Sequence, residues 1–434
     1  MSQSRYPHPR QELQELMTRI YGYRMTTTSG GNLSVRDADG GTWITPAHID
    51  KGALGPSDIV YVGADGCWKG AVKPSSELPF HQAIYRERSD VGGIVHAHPV
   101  ALVAFSLAHE VPATRIFHQA WTICREGGFA PYRLPGSAEL GAVVAGTFAD
   151  GHDCVILENH GVVAGGGSLP EAFRRFETFE FAGKTIIKAR LLGGEIRLLT
   201  DEDLAVARAH VEVPEGPARE GPPSNREREL RSALQAFVRR GYRQRLFIST
   251  HGTFSARVDP SSFLITPNDV DRGELQASDL VLVSNGCAEP GARPSHVTRL
   301  HEAIYRERPE VGAIVNAAPV NATAFSVTGS VPDTRTIPES RLVLRSPTIA
   351  PFRLPFEDPG ALAEMVTPEH PVVILENDGV LVTGGDVLEA FDRLEVLEST
   401  SEALINARAL GTFAPMPDST IAELEAFFFG APTL

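Results

Sequence analysis

The sequence predicts an α/β fold, built as two tandem copies of one domain in which helices cover both sides of a central sheet. Three observations lead to this prediction. The chain has 434 residues, whereas single domains usually have about 100–200. Whole motifs recur in the same order in its two halves. Within each half, stretches with helical periodicity alternate with short apolar runs, which is typical of a sheet layered with helices.

The internal repeat is the strongest of these observations. HQAIYRERSDVGGIV at residues 81–95 recurs as HEAIYRERPEVGAIV at residues 301–315, and 301 − 81 = 220 residues separate them. Four shorter motifs of the first half also recur in the second half. These motifs are WITP, APYRLP, VILEN and EAF, and their counterparts are LITP, APFRLP, VILEN and EAF. A period of this length is a whole domain rather than a solenoid unit. We therefore predict a first copy at residues 1–210, a linker rich in Pro, Gly and charge at 211–226, and a second copy at 227–434.

Local patterns place the main elements of each copy. Apolar residues at helical spacing predict a helix over residues 10–21, which residues 227–240 repeat. A second helix is predicted over residues 78–88, with Ser75 and Ser76 as candidate N-caps. Two short buried strands and a long amphipathic helix are predicted, in this order, over residues 93–95, 154–157 and 168–192.

Composition excludes several classes of partner. The formal net charge is -14, whereas nucleic acids are bound through clustered Lys and Arg. A small anionic substrate remains compatible, because one pocket can be basic on an acidic protein. No run of about 18 apolar residues predicts a membrane span. The four cysteines form no CxxC pair and the N-terminus lacks an apolar signal stretch, which predicts a cytoplasmic protein with reduced thiols.

The second copy serves as an internal control for polar residues of the first. A polar residue present in both copies is expected to serve the fold, as with His81 and its counterpart His301. Four polar residues of the first copy disappear together within a conserved apolar frame. In the second copy Asn316, Ala318, Asp378 and Val297 stand in the places of His96, His98, His160 and Glu77.

These four residues predict a metal centre in the first copy. His96 and His98 are spaced i, i+2 and point to the same face of a strand. His160 follows a second apolar strand and can supply a third nitrogen. Three nitrogen ligands and one open position are typical of a catalytic metal site, where the ion acts as a Lewis acid. Glu77, near a helix start, can move a proton. An HxH pair alone is common in ordinary packing, and the joint loss of all four residues favours the metal.

A glycine-rich turn at residues 29–32 is a candidate anion site. Glycines allow close approach of a ligand and turn backbone N–H groups toward it. Gly31 persists in the second copy as a glycine, so the fold can require it, whereas Asn32 does not persist. Ser75 and Ser76 offer hydroxyls to the same anion. The alternatives are a plain tight turn for the glycines and helix capping for the serines.

The motifs SGGNLSVR, ITP, KPSSELPFH, GGIVHAHP and ENHG, in this order, resemble those of the class II aldolase/adducin family. The resemblance covers nearly all of the first copy and continues through the second as a degenerate relative. It implies a three-layer α/β/α domain around a mostly antiparallel sheet. It also implies metal ligation by three histidines, acid/base chemistry by a glutamate, and binding of substrate phosphate or carboxylate by four further residues. These are, in turn, His96, His98 and His160; Glu77; and Gly31, Asn32, Ser75 and Ser76.

The function implied is that of a metal-dependent carbon–carbon lyase. It would cleave a small hydroxy-carbonyl or hydroxy-acid substrate by a retro-aldol reaction through a metal-stabilised enediolate. The alternatives are a decarboxylase of a hydroxy acid, including aromatic ones, an iron(II) oxygenase, and a non-catalytic adducin-like scaffold. One divalent transition metal per chain is expected, zinc first, with manganese, iron and cobalt as alternatives. Ala47 and His48 follow ITP where sugar-phosphate aldolases usually have Thr-Gly, which favours a carboxylate or aromatic substrate.

The retained second copy predicts an assembly. Family members commonly form tetramers with active sites between subunits, so a metal-less copy can still form one wall of a live site. We expect a homodimer that forms a four-domain ring with two active sites. Arg335, Arg341 and Arg345 are candidates to reach an anionic substrate, and ordinary surface charge is the alternative for these arginines.

Overall fold

The computed structural model describes residues 8–69, 72–209, 212–217, 221–411 and 414–430. Contacts divide the chain into two compact units. The first unit comprises Met1–Thr114 and Gln119–Lys184, and the second comprises Arg115–His118 and Thr185–Leu434. This division by contacts is distinct from the division by sequence repeat, so the predicted boundaries at residues 210 and 227 stay a prediction.

Every helix predicted from the sequence is present. In the first copy, helices α1 to α7 are Pro9–Gly22, Leu78–Glu87, Val100–Ala108, His118–Cys124, Ala138–Ala149, Leu169–Leu192 and Asp201–Arg208. In the second copy, helices α8 to α15 are Asn225–Arg243, Thr298–Glu307, Val320–Val327, Pro338–Leu344, Leu354–Glu357, Pro359–Met365, Val387–Leu410 and Asp418–Phe429.

Strands alternate with these helices. In the first copy, β1 to β7 are Asn32–Arg36, Thr42–Ile44, Val60–Val62, Gly93–Ala97, Gly128–Ala130, Cys154–Leu157 and Gly161–Gly166. In the second copy, β8 to β15 are Thr253–Asp259, Ser262–Ile265, Val281–Ser284, Cys287–Ala288, Ala313–Ala317, Thr348–Ala350, Val372–Leu375 and Gly379–Gly384.

Each copy contains one mostly antiparallel sheet, which confirms the predicted fold class. The first sheet has the order β3-β2-β1-β4-β7-β6-β5, and the second has the order β11-β10-β9-β8-β12-β15-β14-β13. Among the named strands of the described residues, β5 with β6 and β13 with β14 pair in parallel, and the other neighbouring strands are antiparallel. Strands β4 and β7 are central neighbours in the first sheet, with His96 opposite Val163. This pairing brings the end of β4 to the turn that precedes β7.

The first sheet is buried on both faces, because alternate residues of β4 point to opposite sides. Val95 packs in a cluster with Leu16 of α1 and Phe173 of α6. Ile94 packs in a different cluster with Ile84 of α2. Burying each such side chain contributes about 1.5–3 kcal/mol. Two apolar layers therefore fix the position and direction of β4, and with it the position of His96.

The predicted capping of α2 by Ser75 or Ser76 is wrong. The N-cap position is occupied by Glu77, and no side chain caps the helix there. Pro79 lies in the first turn of α2, where its missing N–H is not needed and its fixed φ suits the helix. The Ser75 hydroxyl instead accepts a hydrogen bond from the Glu77 backbone N–H at 3.3 Å. The helix therefore starts at a residue whose carboxylate remains available for other contacts.

The predicted linker is partly ordered against the second sheet. Gly216 N donates to Ala288 O at 2.8 Å, and Ala288 N donates to Pro214 O at 2.9 Å. Helix α8 begins at Asn225, inside the predicted linker. Residues 211 and 218–220 of this segment lie outside the described residues.

The structure also bears on the predictions of reduced cysteines and of no membrane-spanning segment. All four cysteines are free thiols. None of the helices formed by the described residues is long and apolar enough to cross a membrane.

A buried histidine in the second copy predicts acid sensitivity. His301 is fully buried, its Nδ1 lies 2.7 Å from Ser255 Oγ, and its Nε2 lies 2.7 Å from Asn316 Oδ1. Burial lowers the pKa of His301 to about 4. The folded chain therefore keeps this ring neutral, while the unfolded chain protonates it below its ordinary pKa of about 6.5.

As the pH falls from about 6.5 to about 4, the unfolded state takes up a proton that the folded state does not. We expect His301 to lower the free energy of unfolding by about 1.4 kcal/mol per pH unit over this window. Denaturant unfolding at several pH values measures the slope. In His301→Gln the slope should decrease by this amount, and an unchanged slope would contradict the assignment.

Candidate metal centre

Strand β4 and the turn between β6 and β7 bring the three predicted histidines close together. His96 is in β4, His98 directly follows its end, and His160 lies in the turn between β6 and β7. Asn159, directly before His160 in that turn, lies in the left-handed region with φ 53°, which asparagine tolerates better than most residues. One ligand atom from each of the three histidines lies within 4.8 Å of the others. Among the described residues this is the one group of three or more that meets this criterion.

The distances and the tautomer suit a metal ion. His96 Nδ1 lies 2.9 Å from the Val162 carbonyl oxygen, so Nδ1 carries the proton and the Nε2 lone pair faces the centre. His96 Nε2 lies 3.1 Å from His98 Nε2. Two imidazole nitrogens bound to one tetrahedral zinc ion stand roughly 3.3 Å apart. The histidines are therefore close to the geometry that a bound divalent metal requires.

The electrostatics keep two of these ligands, His98 and His160, neutral. Burial, with a further contribution from His96, lowers the pKa of His98 to about 3 and that of His160 to about 4. Only the neutral imidazole can bind a metal. The pocket therefore holds His98 and His160 in the ligand form at neutral pH.

Glu77 lies against the same nitrogens. Its Oε2 is 3.2 Å from His96 Nε2, and its Oε1 is 3.4 Å from His160 Nε2. Oε1 is buried and has no hydrogen-bond partner. Burial alone would raise the pKa of Glu77, but positive charge on His96 and His160, where these rings are protonated, and a hydrogen bond from Asn32 outweigh it and hold the pKa below its usual range. A carboxylate and imidazole lone pairs facing one another repel unless a cation lies between them, so this donor set fits a divalent metal.

A buried chain of hydrogen bonds holds Glu77 in place. Asn32 Nδ2 donates to Glu77 Oε2 at 2.7 Å, so Asn32 Oδ1 is left to accept from His81 Nε2 at 2.5 Å. His81 Nδ1 then accepts from Ser34 Oγ at 2.6 Å, and Ser34 accepts from the Tyr85 hydroxyl at 2.7 Å. Each polar hydrogen in this series of hydrogen bonds can therefore be assigned to one donor, without conflict between neighbouring groups. Burial lowers the pKa of His81 to about 3, which keeps the ring neutral as this arrangement requires.

The predicted substrate residue Asn32 hydrogen-bonds through its side chain to Glu77 and His81. The sequence held a signal of this contact, because Asn32 and Glu77 are replaced together, by Thr253 and Val297. In the second copy the corresponding series of hydrogen bonds joins Ser255, His301 and Tyr305 and ends at Asn316.

We expect Asn32→Ala to lower kcat about ten- to a hundredfold while metal content stays unchanged. The variant removes one charge-assisted hydrogen bond to Glu77, worth roughly 1.5–3 kcal/mol. Steady-state kinetics and metal analysis on the same preparation measure the two effects. Thr253→Ala, at the corresponding place in the second copy, is the matched control and should keep full activity. Loss of the metal from Asn32→Ala would assign Asn32 to the metal centre instead.

The glycine-rich turn approaches the histidines through its backbone. A Cβ on Gly31, whose φ is +71°, would meet the His96 carbonyl oxygen at 2.7 Å, and one on Gly30 would meet His98 Nδ1 at 2.9 Å. Both glycines are therefore required for the approach of this turn to the histidines. Ser75 is buried, whereas the next residue, Ser76, is exposed. Substrate binding by Gly31, Asn32, Ser75 and Ser76 stays a prediction.

The corresponding place in the second copy has a different set of polar groups. His118, which belongs to the second unit, lies with its Nδ1 3.2 Å from Asp378 Oδ1. Its ring centroid is 5.9 Å from that of His296. His251 stands in the sequence position of Gly30 and is buried. Sequence comparison missed His118, because its role depends on a contact made far along the chain.

The three arginines considered for substrate binding are paired within the second unit. Arg335 pairs with Asp418, and Arg341 Nε lies 2.7 Å from Glu425 Oε1. The guanidinium carbon of Arg345 lies 3.1 Å from the centroid of the Phe429 ring. Their charge is therefore already used in local contacts, which favours the surface-charge alternative.

Comparison with known proteins gives matches in both copies. The sequence profile described as "Class II Aldolase and Adducin N-terminal domain" matches residues 11–187 and 232–405. A 5-methylthioribulose-1-phosphate/5-deoxyribulose-1-phosphate aldolase of Rhodospirillum rubrum is 38% identical over 162 residues, which are 35% of this chain and 70% of that protein.

Two further relatives are described by different activities. A 3-oxo-tetronate 4-phosphate decarboxylase of Escherichia coli K12 is 34% identical over 210 residues, which are 46% of this chain and 96% of that protein. Among solved structures, an L-fuculose 1-phosphate aldolase is 31% identical with a TM-score of 0.43, and the match covers 48% of this chain and 97% of that one.

Proposed function

Because the chain belongs to the class II aldolase/adducin family and is a lyase, we propose that its first copy cleaves a carbon–carbon bond of a small hydroxy-carbonyl or hydroxy-acid substrate by a retro-aldol reaction. The observation that carries this proposal is the convergence of His96, His98 and His160 on the buried carboxylate of Glu77. Three neutral nitrogens and an adjacent proton carrier are the parts that such a cleavage needs.

The residues have separate tasks in this proposal. His96, His98 and His160 would hold one divalent metal, which would supply a Lewis acid for the negative charge that develops on substrate oxygen. Glu77 takes the proton from the hydroxyl group as the carbon–carbon bond breaks and an aldehyde leaves. The same carboxyl then returns a proton to the carbon that kept the electron pair. Asn32 and His81 keep Glu77 aimed at the reacting atoms.

Decarboxylation of a hydroxy acid is the second candidate, and a specific observation supports it. The chain is 34% identical to a protein described as a 3-oxo-tetronate 4-phosphate decarboxylase. In that reaction carbon dioxide leaves instead of an aldehyde, and the same charge develops on substrate oxygen. The names of these relatives describe phosphorylated substrates, whereas Ala47 and His48 stand where sugar-phosphate aldolases usually have Thr-Gly. We propose that the substrate is anionic. The product assay described next distinguishes a phosphate ester from a carboxylic acid.

A product assay tests both candidates. Zinc-, manganese-, cobalt- and iron(II)-loaded protein is offered matched pairs of small hydroxy-carbonyl compounds, one of each pair a phosphate ester and the other a carboxylic acid. Aldehyde release supports the aldolase, and carbon dioxide release supports the decarboxylase. Oxygen consumption during turnover would support the oxygenase. The absence of every product with all four metals would favour the scaffold.

We propose zinc as the resident metal, a cytoplasmic location, and a second copy without a metal. The second copy has Asn316, Ala318 and Asp378 in place of the three histidines. We also propose that two chains form a ring of four domains with two active sites. In this arrangement the second copy is retained because it completes the site of another chain.

A further inference from the structure

A cavity of about 260 Å³ in the second copy lies at one end of β15. The opposite end of this strand is the place that corresponds to the metal centre, because Asp378, the counterpart of His160, directly precedes β15. The residues that line the cavity all belong to the second unit. They include Arg345, Pro371, Thr383, Gly384 and Arg393. The cavity is therefore separate from the place in the second copy that corresponds to the metal centre.

The first copy has a buried carboxylate at the position that corresponds to this cavity. The Asp153 side chain is 12% exposed, and its Oδ2 lies 3.0 Å from Arg175 Nη2. Its Oδ1 lies 3.0 Å from Arg88 Nη2. Arg175 Nη2 also pairs with Glu171 Oε1 at 3.0 Å. Asp153 is therefore the buried counterion of two guanidinium groups.

The second copy keeps the backbone of this position and lacks the carboxylate. Pro371 stands in the place of Asp153. Its carbonyl oxygen accepts a hydrogen bond from Thr383 N at 2.9 Å. In the first copy the Asp153 carbonyl oxygen accepts one from Gly165 N, also at 2.9 Å. The backbone pairing is thus the same, and the difference between the copies is a proline ring in place of a buried charge.

Arg393 keeps the other contacts of its counterpart, Arg175. Each donates through Nε to a backbone carbonyl at 3.2 Å and through Nη1 to a second one. Arg393 Nη2 also pairs with Glu389 Oε1 at 2.5 Å, which corresponds to the contact with Glu171 in the first copy. Among the described residues no other carboxylate pairs with Arg393, so its Nη2 has one carboxylate partner where that of Arg175 has two.

Arg345 brings a second guanidinium group to this cavity. The group lies against the Phe429 ring, with its central carbon 3.1 Å from the ring centroid. This contact occupies the face of the guanidinium group, while its N–H donors point outward in its own plane. Within the part of the chain that the structure describes, no carboxylate forms an ion pair with Arg345. Its donors therefore remain available to a ligand of the cavity.

The two carboxylates that line the cavity are both exposed. The Glu389 side chain is 48% exposed, compared with 15% for that of Arg393, and Glu310 is also exposed. Water and salt screen exposed charges more strongly than buried ones. The carboxylate that the second copy lacks is the buried one, so the inner part of the cavity is positive and favours an anion.

We propose that this cavity binds a small molecule with a carboxylate or phosphate group, which takes the place of the Asp153 carboxylate. Its oxygens accept hydrogen bonds from Arg393 Nη2 and from the edge of Arg345, because a guanidinium group matches the geometry of both kinds of anion. Ligand pockets usually have at least about 300 Å³, so a cavity of about 260 Å³ suits a short molecule. The second copy thus has a ligand of its own, and this inference does not depend on the proposed lyase function.

Isothermal titration calorimetry on the full, metal-loaded chain tests this inference. The probes are inorganic phosphate and acetate, each added at constant ionic strength with chloride as the balancing anion. We expect saturable binding with a dissociation constant of about 1 mM or below. Tighter binding of phosphate would identify a phosphate group as the ligand, and tighter binding of acetate would identify a carboxylate.

Two variants locate the bound anion. Arg345→Gln should weaken binding about tenfold or more, because the guanidinium donors are lost. Pro371→Asp should abolish binding, because it places the carboxylate of the first copy beside Arg393. Arg299→Gln is the matched control, since Arg299 belongs to the same unit, pairs with Glu302 at 2.8 Å and does not line the cavity. This control should bind both probes as wild type does.

Circular dichroism of each variant checks that the fold is retained, and Arg345→Gln, at a half-buried residue, provides the decision if Pro371→Asp does not fold. Absence of saturable binding in wild type overturns the inference. So does wild-type affinity in either variant that folds, because the anion then binds elsewhere. Failure of the lyase function is read separately, since His98→Ala removes the proposed metal and should keep the binding that Arg345→Gln loses.

Discussion

His98→Ala should leave the chain without its metal. Wild type purified without chelator should contain about one transition-metal ion per chain, and the variant less than about one tenth of that. Two imidazoles remain in the variant, and the ion loses one of the three nitrogens that a catalytic site uses. Turnover should fall by more than about a thousandfold, because Lewis-acid stabilisation is worth several kcal/mol and each 1.36 kcal/mol is a factor of ten. Elemental analysis and kinetics measure the two losses.

His152→Gln is the control for this prediction. His152 is in the same unit, and its Nδ1 lies 2.9 Å from the Glu126 carbonyl oxygen, away from the three ligands. It should keep both metal and activity. Retention of one ion per chain in His98→Ala would contradict the ligand assignment. About two ions per wild-type chain would contradict the proposal that the second copy lacks a metal.

Glu77→Gln should separate proton transfer from metal binding. The amide keeps the shape of the side chain but cannot take up a proton at neutral pH, so kcat should fall about 10²- to 10⁴-fold. The three histidines are unchanged, so the metal content should remain at about one ion per chain. Kinetics on metal-loaded protein and elemental analysis of the same sample test the two halves of this expectation.

Glu171→Gln is a matched control, because the Glu171 carboxylate also accepts a hydrogen bond, in this case from the Gly167 backbone N–H at 3.0 Å. It lies in α6 and pairs with Arg175. This variant should retain wild-type kinetics. If Glu77→Gln keeps a kcat within tenfold of wild type, another group moves the proton. If the variant loses the metal, Glu77 is itself a ligand.

Much of the candidate site could be predicted from the sequence because it lies on short, regular pieces of chain. The i, i+2 spacing of His96 and His98 determines that they share one face of β4. The joint replacement of His160 and Glu77 in the second copy connects them with that pair. The capping of α2 could not be predicted correctly, because Pro79 and the contacts of Glu77 compete with the preference of serine for the N-cap.

The sequence by itself determined the tandem repeat, the α/β class, and which histidines and carboxylate belong together. These properties are encoded in periodicity and in an internal comparison, and neither needs long-range contacts. Only the tertiary structure decided what Asn32 does, because its two hydrogen bonds reach residues 45 and 49 positions away. It also decided that Asn377 is buried while Asn159, at the same place in the repeated VILEN motif, is exposed. Identical local motifs acquire different surroundings when distant segments pack on one of them, and that packing is a property of the whole fold.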